Sequence, residues 1–378
     1  MRLVNKVLVV GGGIGGMCAA ILLSRQGIKV ELIEANPRWS ADGAGITISS
    51  SSLRGLREVG VVEEVLRCGG SWSAVDICDS AGQLRASVPV EPCLGAEDLP
   101  GASGIMRTML ASILGNATRE AGVSIRLGTS FEGIEQNDTG VDVQFSDGTR
   151  DRYDLVIGAD GVNSAVRNYV KPDFGGPRFT GQGSWRAVVP RLRTNSTIFM
   201  GATTKAGLNP ISATESYLFV LDKRAGLEFI EAEKWPSMLA ALLEEFGGPL
   251  GELRSGLLDG SLENSRVLYR PLAGHMIAGP WHTGRIVLLG DAVHATTPHL
   301  ASGAGIAIEG AIVLAQELSR RRSLEGALIS YAGRHYDRAQ LVVSSSMRMG
   351  KIEQENGSRE EHLQVMNEAL CALREPIW

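Results

Sequence analysis

Six consecutive residues constrain this chain more than any others: Gly11-Gly12-Gly13-Ile14-Gly15-Gly16. They follow an apolar run, Lys6 to Val10, that reads as a buried parallel strand. They precede Ile14 to Gln26, which has helical spacing and a glycine stop at Gly27. Val30 to Ile33 reads as a second strand, which completes a βαβ unit of about 30 residues. In such a unit Gly11 permits a tight turn, Gly13 lets backbone approach a pyrophosphate, and Gly16 lets the helix pack on the strand. The helix N-terminus, with Ile14 and Gly15 in its first turn, offers free N–H donors to phosphate. Glu34 closes the second strand, where an acid bonds both hydroxyls of an adenosine ribose and repels a 2′-phosphate. The bland reading is a glycine-rich structural turn. The flanking strands and the acid favour a dinucleotide site, without separating FAD from NAD.

Two further junctions have the same form. The segment Asp154 to Gly158 is strand-like and runs into Ala159-Asp160-Gly161-Val162-Asn163-Ser164, with Arg167 beyond. Strand ends of this kind are where α/β sheets bind ligands, but from these residues alone a capped structural turn, with Asp160 or Asn163 as the N-cap, is the favoured reading. The strand Ile286 to Leu289 delivers Gly290-Asp291-Ala292-Val293-His294, then Pro298-His299, then Ser302-Gly303-Ala304-Gly305 and a helix to Leu318. Asp291 there is placed to accept hydroxyl hydrogen bonds, and the helix start at Gly303 and Ala304 aims a positive dipole end at an electron-rich ring.

Between these junctions the pattern changes. Leu53 to Leu66 and Arg107 to Ala121 read as helices, 72–105 as short strands and loops, and Tyr153 to Ile157 as a strand. Asp147-Gly148 signals a hairpin after the alternating Val141 to Phe145. Trp185–Pro190, Thr197–Met200 and Ser216–Leu221 read as an antiparallel sheet, followed by a helix from Trp235 to Phe246 and a strand at Val267–Arg270. The expected architecture is α/β: a Rossmann-like domain over 1–175 and 265–350, an inserted antiparallel β-sheet domain over 176–264 with part of 72–105, and a helical tail over 351–378. Alternation makes Trp185, Arg186, Met200, Tyr217 and Phe219 candidates for a pocket floor, with Arg186 suited to a carboxylate through a bidentate pair.

The trio of motifs, in this order, resembles the single-component FAD-dependent aromatic hydroxylases, the p-hydroxybenzoate hydroxylase fold. The run from Gly290 to Gly305 is most similar to salicylate hydroxylase and 6-hydroxynicotinate monooxygenase. Gly43-Ala44-Gly45-Ile46 matches the family segment passing the flavin ring, and Arg107 with Leu110 matches its helix-start arginine. The resemblance implies that Gly11, Gly13, Gly16 and Glu34 hold the ADP half of FAD and that Gly45 passes the ring. It implies that Arg107 and Asp291 meet the pyrophosphate and ribityl region, and that Asp160 with Gly161 serves FAD and a passing NADH or NADPH. It places Pro298 between flavin and substrate. Thr47, Arg186, Tyr217, Pro298 and His299 are the substrate-side candidates, with His299 as the catalytic candidate and a loop anchor as its alternative. His294 is expected to be structural. The chain departs from the family at Ala301-Ser302-Gly303, at Glu309-Gly310, and at Thr47, where the nicotinate-type enzymes carry histidine.

The implied chemistry is hydroxylation of a small aromatic or heteroaromatic molecule, driven by NAD(P)H and dioxygen through a flavin hydroperoxide. A related epoxidase, halogenase or reductase, an NAD-only dehydrogenase, and a non-catalytic FAD-binding module are the alternatives. The net charge of −5 argues against a nucleic-acid partner, because phosphate binding needs a basic face. Five cysteines without metal spacing fit a reducing compartment. The six histidines lack paired ligand spacing, so no metal is expected. The absence of a signal pattern and of a long apolar stretch makes cytoplasm the default, with no membrane partner. A monomer or homodimer is expected.

Overall fold

The computed structural model describes residues 2–39, 43–262 and 266–378. Its organising element is a six-stranded sheet. The spatial order is His282–Thr283, Ile286–Leu288, Leu155–Gly158, Lys6–Val10, Lys29–Glu34 and Ser124–Leu127. All neighbours are parallel except the first pair. Such a sheet is covered on both faces, so its strands are continuous apolar runs. Leu8, Val9, Leu155, Val156, Ile157, Val287 and Leu288 have no solvent exposure. Fully burying each such side chain stabilises the fold by roughly 1.5–3 kcal/mol.

Register matters more here than composition. Val10 pairs with both Gly158 and Ile33, and Gly158 pairs with Leu288. The carboxyl ends of these strands are therefore level. Gly11, Ala159, Leu289 and Glu34 all lie at one sheet edge, although their sequence positions are far apart. The helix Ile14–Arg25 leaves that edge and packs against helices Arg107–Glu120 and Gly303–Arg320. It is buried almost all round, as a helix enclosed by sheet and neighbours must be.

The second layer is a seven-stranded sheet: Val267–Gly274, Arg178–Pro190, Glu215–Lys223, Lys205–Pro210, Ser196–Met200, Ala74–Asp79 and Leu84–Pro89. One face carries Trp185, Ala187, Leu218, Val220, Val267 and Tyr269 into a core closed by helices Trp235–Leu242 and Gly248–Asp259. The two-residue period of a strand sends Ser184, Arg186, Tyr217, Leu268 and Arg270 to the opposite face. The strand Ala74–Asp79, from the first quarter of the chain, pairs in parallel with Ser196–Met200. A small sheet of Gly45–Ser49, Ala102–Met106 and Gly70–Trp72 bridges the two layers.

Several expectations are corrected. The helix read over Leu53 to Leu66 is two helices, Ser50–Val59 and Val62–Cys68, because Gly60 turns left-handed at φ 78°. The strand read over Tyr153 to Ile157 is two strands in different sheets. Arg150–Tyr153 pairs with Gly140–Phe145, and Leu155–Gly158 joins the central sheet. Asp154 fixes the switch, its carboxylate accepting from the N–H of Asn5 at 2.6 Å and of Lys6 at 3.0 Å. The boundary drawn between 350 and 351 falls inside one continuous helix, Leu324–Gln354. The boundary at 264/265 lies outside the described residues. The strand Lys205–Pro210 and the helix Gly248–Asp259 were not read from the sequence.

The two C-terminal helices, Leu324–Gln354 and Arg359–Arg374, are fastened by buried charge. Arg338 donates to both oxygens of Glu309, at 2.8 and 3.0 Å, and to the carbonyls of Ala372 and Leu373 at 2.7 and 2.9 Å. Arg54 donates to the carbonyl of Arg374 at 2.6 Å. A buried ion pair of this kind is held in place by the hydrogen bonds that complete it. Among the described residues no helix is long and apolar enough to cross a membrane.

Candidate functional site

A cavity of about 620 Å³ opens where the level strand ends meet the free face of the second sheet. At one end its wall is Gly12, Gly13, Ile14, Gly15, Glu34 and Trp39; at the other it is Thr47, Arg186, Tyr217 and Leu268. Between them lie Arg107, Asp291, Pro298, Gly303 and Ala304. One space thus runs from the glycine turn to the antiparallel sheet.

The glycine turn is shaped by contact. At Gly11 φ is 106°, and a Cβ there would stand 2.4 Å from the carbonyl oxygen of Ala159. At Gly16 a Cβ would stand 2.1 Å from the carbonyl oxygen of Gly11. These two glycines do not line the cavity; they let helix and strands touch. Gly13 differs: it lines the cavity, and a Cβ there meets nothing within 4 Å. It caps the helix in extended backbone with no side chain in the way. Open space over Gly13, beside free helix N–H groups, is what a pyrophosphate requires.

Glu34 holds this end together. Its two carboxylate oxygens accept from the N–H groups of Gly12 and Asn36, each at 2.8 Å. Trp39 was missed by the sequence reading. Its indole N–H donates to the Gly12 carbonyl at 2.9 Å, and the Arg119 guanidinium lies 5.0 Å from its ring. The only hint was an aromatic close behind the second strand.

In the middle, Asp291 is surrounded by protein but faces the cavity. Burial raises its carboxyl above the ordinary carboxylate range, and Arg107 opposes that rise. Arg107 itself is pushed down to about 10 by burial and by the neighbouring Arg186, with Asp291 acting the other way. The Arg186 guanidinium sits 5.9 Å from the Tyr217 ring. Among the described residues no carboxylate forms an ion pair with Arg107 or Arg186. The helix Gly303–Arg320 begins at the cavity wall.

At the far end a polar cluster backs the wall. Thr47 Oγ1 and Tyr217 OH are 2.6 Å apart. The Asn209 amide donates to both, at 3.0 and 2.9 Å, and its oxygen accepts from Ser196 Oγ at 2.6 Å. Asn209 escaped the sequence reading because it lies in a strand, Lys205–Pro210, whose Gly, Asn and Pro content disguises it.

Four site expectations are corrected by the geometry. Asp160 does not line the cavity. Its carboxylate accepts from Ser164 Oγ at 2.5 Å and from the N–H groups of Ala165 and Val166 at 2.7 and 3.0 Å, so it holds its own turn. The neighbouring Gly161 does line the cavity. Gly45 lies behind the wall, where a Cβ would come within 2.2 Å of the Tyr217 ring. His299 is a loop anchor: Nδ1 meets Thr297 Oγ1 at 2.8 Å, and Nε2 faces Glu353 at 3.3 Å, away from the cavity lining. Of the alternation candidates, Trp185 packs in the opposite core, and Met200 and Phe219 are not on the cavity wall. His294 is fully buried against Trp281 and His335, and burial pushes it down to about 4.

Comparison with known proteins agrees with this geometry. Residues 5–346 match a sequence family described as FAD binding domain. The chain is 32% identical over 377 residues to YetM of Bacillus subtilis (strain 168), which carries the name of a FAD-dependent monooxygenase; the match covers 98% of this chain and 99% of that protein. It is 30% identical over 372 residues to 6-hydroxynicotinate 3-monooxygenase of Pseudomonas fluorescens, covering 89% of each chain. Among solved structures, Klebsiella pneumoniae HpxO complexed with FAD and uric acid superposes with a TM-score of 0.83 at 24% identity, covering 98% of this chain and 92% of that one. With the level strand ends, the open glycine cradle and a match across nine-tenths of its length, this chain belongs to the FAD-binding domain family, whose relatives here are FAD-dependent monooxygenases.

Proposed function

We propose that the chain inserts one oxygen atom of dioxygen into an aromatic or heteroaromatic small molecule, with FAD as resident cofactor and NADH or NADPH as transient electron donor. The observation that carries this reading is the single continuous cavity. A dinucleotide cradle and a pocket walled by apolar, hydroxyl and arginine side chains open into one another, so a cofactor laid in the first ends beside a ligand held in the second.

The residues fit FAD. Gly13 leaves room for the pyrophosphate, and Glu34 borders the place of the adenosine ribose. Arg107 and Asp291 flank the middle, and Gly303 and Ala304 present a helix start to the ring. When bound, FAD supplies electron transfer from the nicotinamide and activation of dioxygen.

The chain's own residues have the remaining tasks. Leu268, Leu272, Ile46 and Ala44 make the substrate end apolar and limit water. Arg186 offers a guanidinium to an anionic substituent, bidentate with a carboxylate. Thr47 and Tyr217 offer hydroxyls to a ring substituent. Pro298 shapes the loop between the two ends, which Thr297, His299 and Glu353 fix from behind. Each of these orients the ring, and orientation is a large part of such a reaction's barrier.

The test is purification of the yellow protein and a screen of phenols, hydroxybenzoates and hydroxypyridines for stimulated NAD(P)H oxidation. Mass spectrometry then reports gain of one oxygen atom. A yellow protein that oxidises no NAD(P)H with any ring compound overturns the reading and favours a FAD-binding module without catalysis.

A further inference from the structure

We propose that Asn209, which lies behind the cavity wall, fixes the hydrogen-bond polarity of the substrate end, so that the ring taken must present an acceptor oxygen to Thr47 and Tyr217. The substrate class is then a ring bearing an oxo group or an ionisable hydroxyl, and an amino substituent at that position is rejected. The inference rests on the reading that the sheet end of the cavity receives the substrate.

Asn209 is buried, and its amide has two N–H hydrogens and one oxygen. Ser196, also buried, has one hydroxyl hydrogen and gives it to the Asn209 oxygen at 2.6 Å. The two amide hydrogens go to Thr47 Oγ1 and Tyr217 OH. Every donor in the Ser196–Asn209 pair is thus used. Turning the amide over leaves one amide hydrogen and the serine hydrogen idle in a buried place, where an unpaired donor loses its hydration without replacement. The amide orientation is therefore set by its neighbours.

The consequence falls on the two hydroxyls. Thr47 and Tyr217 together have two hydrogens. One is consumed in the 2.6 Å contact between them. The other has no acceptor among the described residues, and both residues line the cavity. Whichever hydroxyl donates to the other, that acceptor oxygen takes two hydrogen bonds, and one hydrogen still points outward. The pair behaves as a single donor. A ligand oxygen completes it, whereas an aromatic amine, whose lone pair is delocalised into its ring, does not. A site built around a fixed donor rejects the mismatched isostere strongly.

The test uses the yellow holoenzyme and reads binding through the perturbation of flavin absorbance, without turnover. Hydroxybenzoates are paired with aminobenzoates, and hydroxyquinolines with aminoquinolines. The hydroxy member of at least one pair is expected to bind about tenfold tighter or more. Asn209→Asp puts a carboxylate acceptor behind both hydroxyls. Their hydrogens turn inward, lone pairs face the cavity, and the preference is expected to vanish or invert. Thr47→Val and Tyr217→Phe singly each leave one outward hydrogen and keep the preference, whereas the double variant loses it. These three variants serve the test should Asn209→Asp fail to fold. No pair in which the hydroxy ligand binds tighter, or a double variant that keeps the preference, overturns the proposal. Because binding is read separately from NAD(P)H oxidation, a holoenzyme that hydroxylates rings but ignores the pairing refutes this inference alone. A preparation that takes up no flavin refutes the function beneath it.

Discussion

Gly13→Val separates the two jobs that the glycine turn performs. At Gly13 the backbone is extended, with φ −76° and ψ 179°, and a Cβ meets nothing within 4 Å. Valine adopts that backbone without strain. Its poorer capping costs about 1 kcal/mol, and the reduced freedom of the unfolded chain returns roughly 0.4–1 kcal/mol. The apo fold should therefore keep its stability to within about 1 kcal/mol. The cofactor should not survive the change. The three added carbons stand in the cavity beside the helix N-terminus, and displacing a pyrophosphate there breaks charge-assisted bonds to N–H groups. Two such bonds at about 1.5–3 kcal/mol each give about 3–6 kcal/mol, or two to four orders of magnitude in Kd. Flavin absorbance per chain, fluorescence titration with FAD and thermal melts of the apo proteins measure all three quantities. Gly16→Ala is the contrasting variant: its Cβ would lie 2.1 Å from the Gly11 carbonyl oxygen, and the fold itself should lose several kcal/mol. A Gly13→Val protein that binds FAD with normal stoichiometry and affinity refutes the reasoning, as does an apo Gly16→Ala protein that melts like wild type.

Three further outcomes are expected. His275 and His294 are held neutral by burial with folded values of about 4, against 6.5 when unfolded, and Arg167 adds to the effect at His275. Their contribution is complete above pH 6.5 and is lost as pH falls toward 4, because the unfolded chain binds those protons first; at pH 5 each should cost on the order of 2 kcal/mol, and urea titrations that give equal stability at pH 7.5 and 5 would contradict it. Arg338→Met removes both hydrogen bonds to the Glu309 carboxylate, which has 1% side-chain exposure and keeps Arg54 only at 4.0 Å, so unfolding free energy should drop by about 3–5 kcal/mol, with a drop below 1 kcal/mol in denaturant melts as the contrary result. Arg186→Leu should weaken carboxylate-bearing ring ligands by roughly 1.5–3 kcal/mol while sparing neutral ones; equal losses for both in flavin-perturbation titrations would remove Arg186 from anion recognition.

How far the sequence could be read follows from range. The strand Lys6–Val10, the helix after it and Glu34 are consecutive and obey period and capping rules, so that end of the site was legible. Asp291 lies just past the end of a buried strand and Pro298 in the turn beyond the next short helix, and both line the cavity. Asp160 misled because an acid after a strand serves a ligand or its own turn equally well, and only the positions of Ser164, Ala165 and Val166 decide. His299 misled because its partner Glu353 is remote in sequence, at the far end of another helix. Alternation named Arg186 and Tyr217 but equally named Trp185, since a two-residue period fixes that faces differ and not which face is covered. Asn209 and Trp39 carried no periodic signal at all.

The pairing of Ala74–Asp79 with Ser196–Met200 limits how this protein can be taken apart. A gene fragment cut at 176 and 264 would lack three strands of its own sheet, Ala74–Asp79 and Leu84–Pro89 at one edge and Val267–Gly274 at the other, and the donor left behind would expose them to the solvent. Anyone grafting a new substrate end onto this scaffold must carry two separate stretches of chain together, so the specificity of this enzyme is not a cassette but a splice.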